Sequence, residues 1–306
     1  METVFAYEYT PSARIRVTDE DSADFLQSQF SNDLKPFAEG QCTYGLWLDV
    51  KGKVLADSWV LCEAAEEFLV LSESSPVADI HATLEGHIIA DDVELELLDS
   101  HPAIALLGAG AKGLLEHLGV TLPAAGHFTQ HDGLIVFAGR RSLAPNFECI
   151  ATSAEAGQRL REQLAGMAVE FVSRDRIQVE RIAAGIPLVP DDIGPADLPG
   201  EGGFQCDAVS FTKGCFLGQE VVARMHNVGQ ARRGLYRVSG VGRLPEVPGS
   251  LATQDGKSAG ALRTVVQTPV GWSGVALLKL RAAEETTLYS VGDQPVQVEG
   301  ALRTQN

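Results

Sequence analysis

The pattern of apolar residues changes near Gly234, and this change limits how the chain can fold. Up to that point, short strand-like runs are mixed with amphipathic helical segments, which is typical of an α+β domain. Beyond it, only short alternating runs occur between glycines and prolines, at residues 235–238, 259–266, 274–280, 286–290 and 296–298. Such runs predict a small antiparallel β-barrel. We therefore predict an α+β domain over residues 1–233 and a β-barrel domain over residues 234–306.

The α+β region itself shows a recurrence. Its first part predicts strands at residues 13–17, 43–49, 54–62, 68–71 and 93–98, a hairpin turn at Lys51-Gly52, and helices at 21–30 and 75–85. A similar series starts at Ala103, with strands at 134–138 and 148–151 and helices at 112–118 and 154–164. This recurrence predicts a duplicated unit, of about residues 1–100 and 101–233. It does not fit a doubly wound sheet, which needs long buried strands in alternation with helices.

Composition excludes several classes of protein. The 306 residues carry a net charge of −17, which disfavours broad binding to nucleic acid or to anionic membranes. No apolar run approaches the roughly 18 residues of a membrane span, and Glu2 and Glu8 precede any basic residue, unlike a signal peptide. The five cysteines are scattered without a C-x-x-C pair, and the histidines lack ligand spacing, so neither a disulfide framework nor a metal site is expected. We expect a cytoplasmic protein.

Residues 185–212 form a long irregular stretch with four prolines and five glycines. Such stretches are usually binding loops or linkers, and both readings stay open from the sequence. The stretch leads directly into residues 213–220, KGCFLGQE, followed by a helix predicted from Gly218. A cation near a cysteine, flexible glycines and a helix start all favour a reactive thiolate at Cys215. The alternative is that Cys215 is a small buried apolar residue in a tight turn.

Positive charge is concentrated around this motif. Residues 213–237 contain five basic side chains and one acid, a local charge of +4. This is either a solvated basic face or an anchor for an anion such as a carboxylate or a phosphate group.

The segment KGCFLGQE resembles the signature of the YgfZ-type folate-binding proteins, which are relatives of the glycine-cleavage T-protein, an aminomethyltransferase. Phe216 stands where that family usually has tyrosine. Further blocks resemble the family in the same order, at residues 25–33 (FLQSQFSND), 49–54 (DVKGKV) and 181–187 (RIAAGIP). The resemblance extends from about residue 20 to the C-terminus. It implies a two-part, T-protein-like folate-binding α+β domain followed by a β-barrel.

The resemblance also implies the site. It predicts tetrahydrofolate or a one-carbon derivative as the cofactor, with Tyr44 lining the cavity and Asp57 near the reactive pterin nitrogen. The remaining predicted folate contacts are Arg181, Gln219, Glu220, Arg224 and Arg233. Two acids of the family are absent, because Ala56 replaces one of two adjacent aspartates and Ala183 replaces a glutamate that pairs with the pterin amino edge. Losing that charge-assisted contact costs on the order of 1.5–3 kcal/mol, and a restored Ala183→Glu is expected to tighten binding if the position is equivalent.

The function implied is a folate-binding protein that supports assembly or repair of iron–sulfur enzymes and thereby tRNA modification. Cys215 is the predicted functional thiol, and Lys213 is predicted to lower its pKa or to bind an anion. Folate and iron–sulfur client proteins are the expected partners, direct tRNA contact is disfavoured by the net charge, and no membrane is involved. One alternative is a folate-dependent aminomethyltransferase or demethylase that uses Asp57, although the missing acids argue against it. Another is a protein-interaction adaptor with a vestigial folate site, against which the glycine-flanked thiol argues.

Overall fold

The computed structural model describes residues 3–227, 229, 231–290 and 294–303. The strands are β1 Phe5–Tyr9, β2 Ala13–Thr18, β3 Cys42–Leu48, β4 Val54–Ala64, β5 Glu67–Ser72, β6 Glu94–Leu97, β7 Ala103–Leu107, β8 Phe128–His131, β9 Leu134–Ala138, β10 Asn146–Ala151, β11 Glu170–Phe171, β12 Arg233–Gly240, β13 Gly249–Ala252, β14 Ser258–Thr268, β15 Gly271–Lys279, β16 Thr287–Ser290 and β17 Pro295–Ala301. The helices are α1 Ser22–Gln29, α2 Val77–Glu85, α3 Ala111–His117, α4 Ala154–Gly166, α5 Arg174–Ala183 and α6 Gln219–Asn227.

The first unit is a five-stranded sheet in the order β3-β4-β5-β2-β6. Side chains alternate along its strands, so one face packs against α1 and α2 and the other faces the second unit. The predicted hairpin joins β3 to β4, where Gly52 has a φ of 70° and the Asp49 amide bonds to the Lys53 carbonyl. Glycine takes this left-handed conformation without the strain that a Cβ would add.

The second unit is a six-stranded sheet in the order β11-β1-β7-β10-β9-β8. The two sheets pack against each other through an apolar layer that includes Leu61 and Leu69 from the first and Phe137 and Ile150 from the second. Strand β1 comes from the start of the chain, yet it pairs with β7 and β11 of this second sheet. The predicted division at about residue 100 therefore has one strand crossing it, and the subdomain limits stay a prediction.

The predicted barrel is confirmed as a closed sheet in the order β12-β15-β14-β13-β16-β17. Its interior holds aliphatic side chains and Trp272. The short strand β13 was missed by the sequence pattern because only Leu251 of its four residues is fully buried.

The glycine- and proline-rich segment before the octapeptide is packed between these units. Val189, Ile193, Phe204 and Ala208 are buried in a core shared by the first sheet, α5 and the barrel. No helix in the described part of the chain has the length and apolar composition needed to cross a membrane.

Candidate functional site

A pocket opens at one edge of the two packed sheets, beside α5. Three side chains predicted for folate line it together: Tyr44 from β3, Asp57 from β4 and Arg181 from α5. Three residues that the sequence analysis named as folate contacts thus line one cavity.

Asp57 is held in place by hydroxyl groups. Its carboxylate accepts hydrogen bonds from Tyr44 Oη at 2.7 Å, Ser75 Oγ at 2.7 Å and Ser72 Oγ at 3.1 Å. Burial raises the pKa of Asp57 above its usual value, while the hydroxyl groups and the charge of Arg140 oppose that rise. The site thus contains a fixed, poorly solvated carboxyl group, a type of group suited to proton transfer.

Neighbouring residues on a strand point to opposite faces, and this explains the position of Ala56. Ala56 lies fully buried in the core beneath the helices, whereas Asp57 faces the pocket. The missing aspartate at position 56 consequently removes no group from this pocket.

Aromatic rings form the pocket walls. Trp59 lies between Tyr44 and Phe137, with ring centroids 5.3 and 5.0 Å away. The guanidinium of Arg140 lies 4.0 Å over the Tyr44 ring and forms an ion pair of 2.9 Å with Asp207. This side of the pocket is therefore an aromatic wall on which a guanidinium is stacked.

Asp207 joins the pocket wall to the end of the chain. It accepts from Arg140 and also from Arg303, at 2.8 and 2.9 Å. Although burial opposes this, the hydrogen bonds from Arg303 and the charge of Arg140 hold the pKa of Asp207 below its usual value. Asp207 therefore stays ionised at neutral pH and links three parts of the sequence.

Arg181 has a structural partner that the sequence did not reveal. Its side chain is 5% exposed, and its Nη1 forms a 2.6 Å ion pair with the fully buried Asp192. Asp192 also accepts from the Leu188 amide and the Thr264 hydroxyl, which fixes the irregular segment to the barrel. The Arg181 Nη2 is buried and has no hydrogen-bond partner among the described residues.

A second polar network in the same pocket was missed from the sequence. Arg141 binds two carboxylates, Glu73 and Glu148, and each of these also accepts from a tyrosine, Tyr7 and Tyr9 respectively. Burial, followed by the charge of Glu73, raises the pKa of Tyr7 to about 12, so this hydroxyl remains a donor. The members are far apart in sequence, and no local motif marks them.

Ala183 does not line the pocket that Tyr44, Asp57 and Arg181 share. It is exposed at the last turn of α5, whereas the pocket is lined by Arg174, Ile177, Gln178 and Arg181 on another face of that helix. A glutamate at position 183 would point away from the pocket. If folate binds in this pocket, Ala183→Glu is therefore not expected to tighten its binding.

The octapeptide lies outside this pocket. Lys213 is buried, and its Nζ donates to the carbonyls of Gln27, Phe30 and Asn32 at 2.6, 2.7 and 2.9 Å. These carbonyls lie at the C-terminal end of α1, where helices leave acceptors unpaired and favour positive charge. Burial lowers the pKa of Lys213 to about 8. Lys213 thus anchors its loop to α1, a different role from the predicted action on the thiol or on an anion.

Cys215 itself is exposed, which argues against the buried-turn alternative. Gly218, with a φ of 79°, packs on the β3–β4 hairpin, where a Cβ would lie 2.6 Å from the Asp49 carbonyl oxygen. Gln219, Glu220 and Arg224 belong to α6 and do not line the pocket.

The predicted folate contact Arg233 is occupied by other partners. Its guanidinium pairs with Asp197 at 3.1 Å and with Glu201 at 2.8 Å, and it lies on a wider groove between α6 and the barrel. Arg233 is not among the residues that line the Tyr44–Asp57 pocket.

Replacing Lys213 by methionine should lower the free energy of unfolding by about 1.5–3 kcal/mol, because the three carbonyls lose a charged donor. Urea denaturation measures this loss. Lys51→Met, at an exposed lysine of the hairpin, is the control and should change stability by less than about 0.5 kcal/mol. Equal stability of the two variants would contradict the anchoring role.

Comparison with known proteins agrees with this architecture. The GCVT N-terminal domain matches residues 1–135, and the C-terminal β-barrel domain of CAF17 matches residues 232–301. The crystal structure of aminomethyltransferase T of the glycine cleavage system from Bartonella henselae superposes with a TM-score of 0.82, at 18% identity, over 97% of this chain and 86% of that one. The molecule therefore has the fold of the T-proteins.

The chain is also similar in sequence to curated tRNA-modifying proteins. The tRNA-modifying protein YgfZ of Hamiltonella defensa is 27% identical over 92% of this chain and 84% of its own length. That of Yersinia enterocolitica is 28% identical over 80% of this chain and 74% of its own length. The resemblance predicted from the sequence is confirmed: this chain is similar in sequence to the YgfZ proteins.

Proposed function

We propose that this chain binds a reduced folate in the Tyr44–Asp57 pocket and acts in tRNA modification, the role that the names of its YgfZ relatives state. The observation that carries the proposal is the convergence of Tyr44, Asp57 and Arg181 on one aromatic-walled cavity. The fold supports it, because 97% of this chain superposes on the aminomethyltransferase T structure.

The pocket matches the chemistry of a pterin. A planar bicyclic ring fits beside Tyr44 and Trp59, and its nitrogen atoms need fixed donors and acceptors, which Asp57 and the Arg141 network supply. The apolar side chains Leu71 and Ile150 offer a wall for the aminobenzoate.

We propose a separate role for the thiol of Cys215. Cys215 is exposed, and no residue of the octapeptide lines the Tyr44–Asp57 pocket. We assign Cys215 to contact with a protein partner, namely an iron–sulfur enzyme under assembly or repair. The anchored Lys213 and the Gly218 contact hold this loop at the surface against α1 and the hairpin.

One-carbon transfer is the second candidate function, and the position of Asp57 favours it. A buried carboxyl group with a raised pKa, held by three hydroxyl groups beside the pocket, is arranged to take or give a proton at a bound folate. Release of formaldehyde or transfer of an aminomethyl group by the purified protein tests this candidate, and Asp57→Asn should abolish it.

Calorimetric titration with tetrahydrofolate and its 5-formyl derivative tests the main proposal. Wild-type protein should bind more tightly than about 1 mM, and Asp57→Asn should weaken binding by about 10- to 100-fold, since a charge-assisted contact is lost. Asp24→Asn, at an exposed position on α1, serves as the matched control and should bind as wild type does. Absence of heat with both folates would rule the proposal out.

A further inference from the structure

The network around Arg141 contains more negative than positive charge. One guanidinium faces two carboxylates, with Arg141 Nη1 2.6 Å from Glu73 Oε2 and Arg141 Nε 2.6 Å from Glu148 Oε1. The tyrosines that complete the network, Tyr7 and Tyr9, are neutral donors because burial raises the pKa of both.

The two carboxylates differ in how fully they are used. Glu148 accepts from Arg141 Nε and Nη2 at 2.6 and 3.0 Å and from Tyr9 Oη at 2.8 Å, and its side chain is 5% exposed. Glu73 has one contact on each oxygen, from Arg141 and from Tyr7 at 3.3 Å, and its side chain is 28% exposed. A carboxylate has about four acceptor positions, so Glu73 presents unused acceptors to the pocket that it lines.

A donor with no acceptor lines the same pocket. The Arg181 Nη2 is buried and lacks a hydrogen-bond partner among the described residues, although the Arg181 Nη1 is bound to Asp192. Leaving a buried donor unpaired is unfavourable, and an acceptor on a ligand bound beside it would relieve that cost. The pocket therefore offers one carboxylate and one guanidinium donor to whatever binds in it.

We propose that Glu73 is the acid that recognises the 2-amino edge of the pterin in this protein. A 2-amino-4-oxopyrimidine edge carries adjacent N–H donors, which suit the free acceptors of Glu73, and a carbonyl oxygen, which suits the Arg181 donor. Glu73 thereby takes the part that the resemblance had given to a glutamate at the position of Ala183, which faces away from the pocket. This inference rests on the proposed folate function and names its specificity-determining residue.

Competition between tetrahydrofolate and its 2-desamino-2-methyl analogue tests the assignment. Wild-type protein should prefer tetrahydrofolate by about 10- to 100-fold, and Glu73→Gln should remove most of that preference. Glu67→Gln is the matched control, because Glu67 also pairs with an arginine, Arg16 at 3.1 Å, but does not line the pocket, and it should keep the preference. Glu73→Asp, which retains the charge but withdraws it by one methylene, should show a reduced preference if Glu73→Gln does not fold.

The outcomes separate the two proposals. Folate binding without a preference for the amino group, or a preference that survives both Glu73 substitutions, overturns the assignment of Glu73 and leaves the folate function intact. Failure of the wild-type protein to bind either compound overturns both. Loss of preference in the Glu73 variants alone supports the assignment.

Discussion

Replacing Arg181 by methionine is expected to lower the free energy of unfolding by about 3–5 kcal/mol, the largest loss that we predict for a single pocket residue. Methionine keeps the apolar stem but leaves the carboxylate of Asp192, which is fully buried, without its cation. Asp192 also fixes Leu188 and Thr264, so the segment between α5 and the octapeptide should loosen with it. Urea denaturation monitored by circular dichroism measures the change.

Arg176→Met is the control for this prediction. Arg176 is on the same helix and pairs with Glu180, but its side chain is 53% exposed, so its removal should cost at most about 0.5 kcal/mol. Combining Arg181→Met with Asp192→Asn should recover part of the loss, because the stranded charge is removed. An Arg181→Met variant as stable as Arg176→Met would show that the buried ion pair does not hold the segment.

Cys215→Ser is expected to abolish complementation of cells that lack the native gene while changing stability by less than about 0.5 kcal/mol. The sulfur is exposed, so its replacement neither opens a cavity nor buries a hydroxyl group. Cys206→Ser is the matched control, since Cys206 is the other exposed cysteine of the chain, and it should complement fully.

Alkylation of the native protein, read by mass spectrometry, adds a direct test of the thiol. Burial raises the pKa of Cys42, Cys62 and Cys149, so these three should react slowly. Cys215 is expected to label fastest of the five. Full complementation by Cys215→Ser, together with labelling no faster than that of the buried cysteines, would contradict a functional thiol.

Local patterns in the sequence were sufficient for much of the fold. The barrel strands alternate in polarity and are separated by glycine and proline, and the hairpin at Lys51-Gly52 has its own turn signal. The pairing of β1 with β7, about one hundred residues later, was not predicted because strand partners at such separation leave no local mark. The six-stranded sheet could therefore not be assembled from patterns alone.

The candidate site was also predicted only in part from the sequence. Tyr44 and Asp57 were predicted because a motif resemblance marks them, and paired strands bring the two side chains to one face. The role of Lys213 was missed because its partners are backbone carbonyls, which no side-chain pattern reveals. The Arg141 network was missed because Glu73 and Glu148 meet only after the two sheets have packed.

The most direct test of a folate in the Tyr44–Asp57 pocket is the quenching of tryptophan fluorescence by 5-formyltetrahydrofolate. Of the three tryptophans, Trp59 lines the pocket, Trp47 is buried beneath the helices and Trp272 lies in the barrel. We predict quenching in wild-type protein and in Trp272→Phe, and its loss in Trp59→Phe at ligand concentrations where calorimetry still detects binding. Undiminished quenching in Trp59→Phe, or none in the wild-type protein, would contradict binding in this pocket.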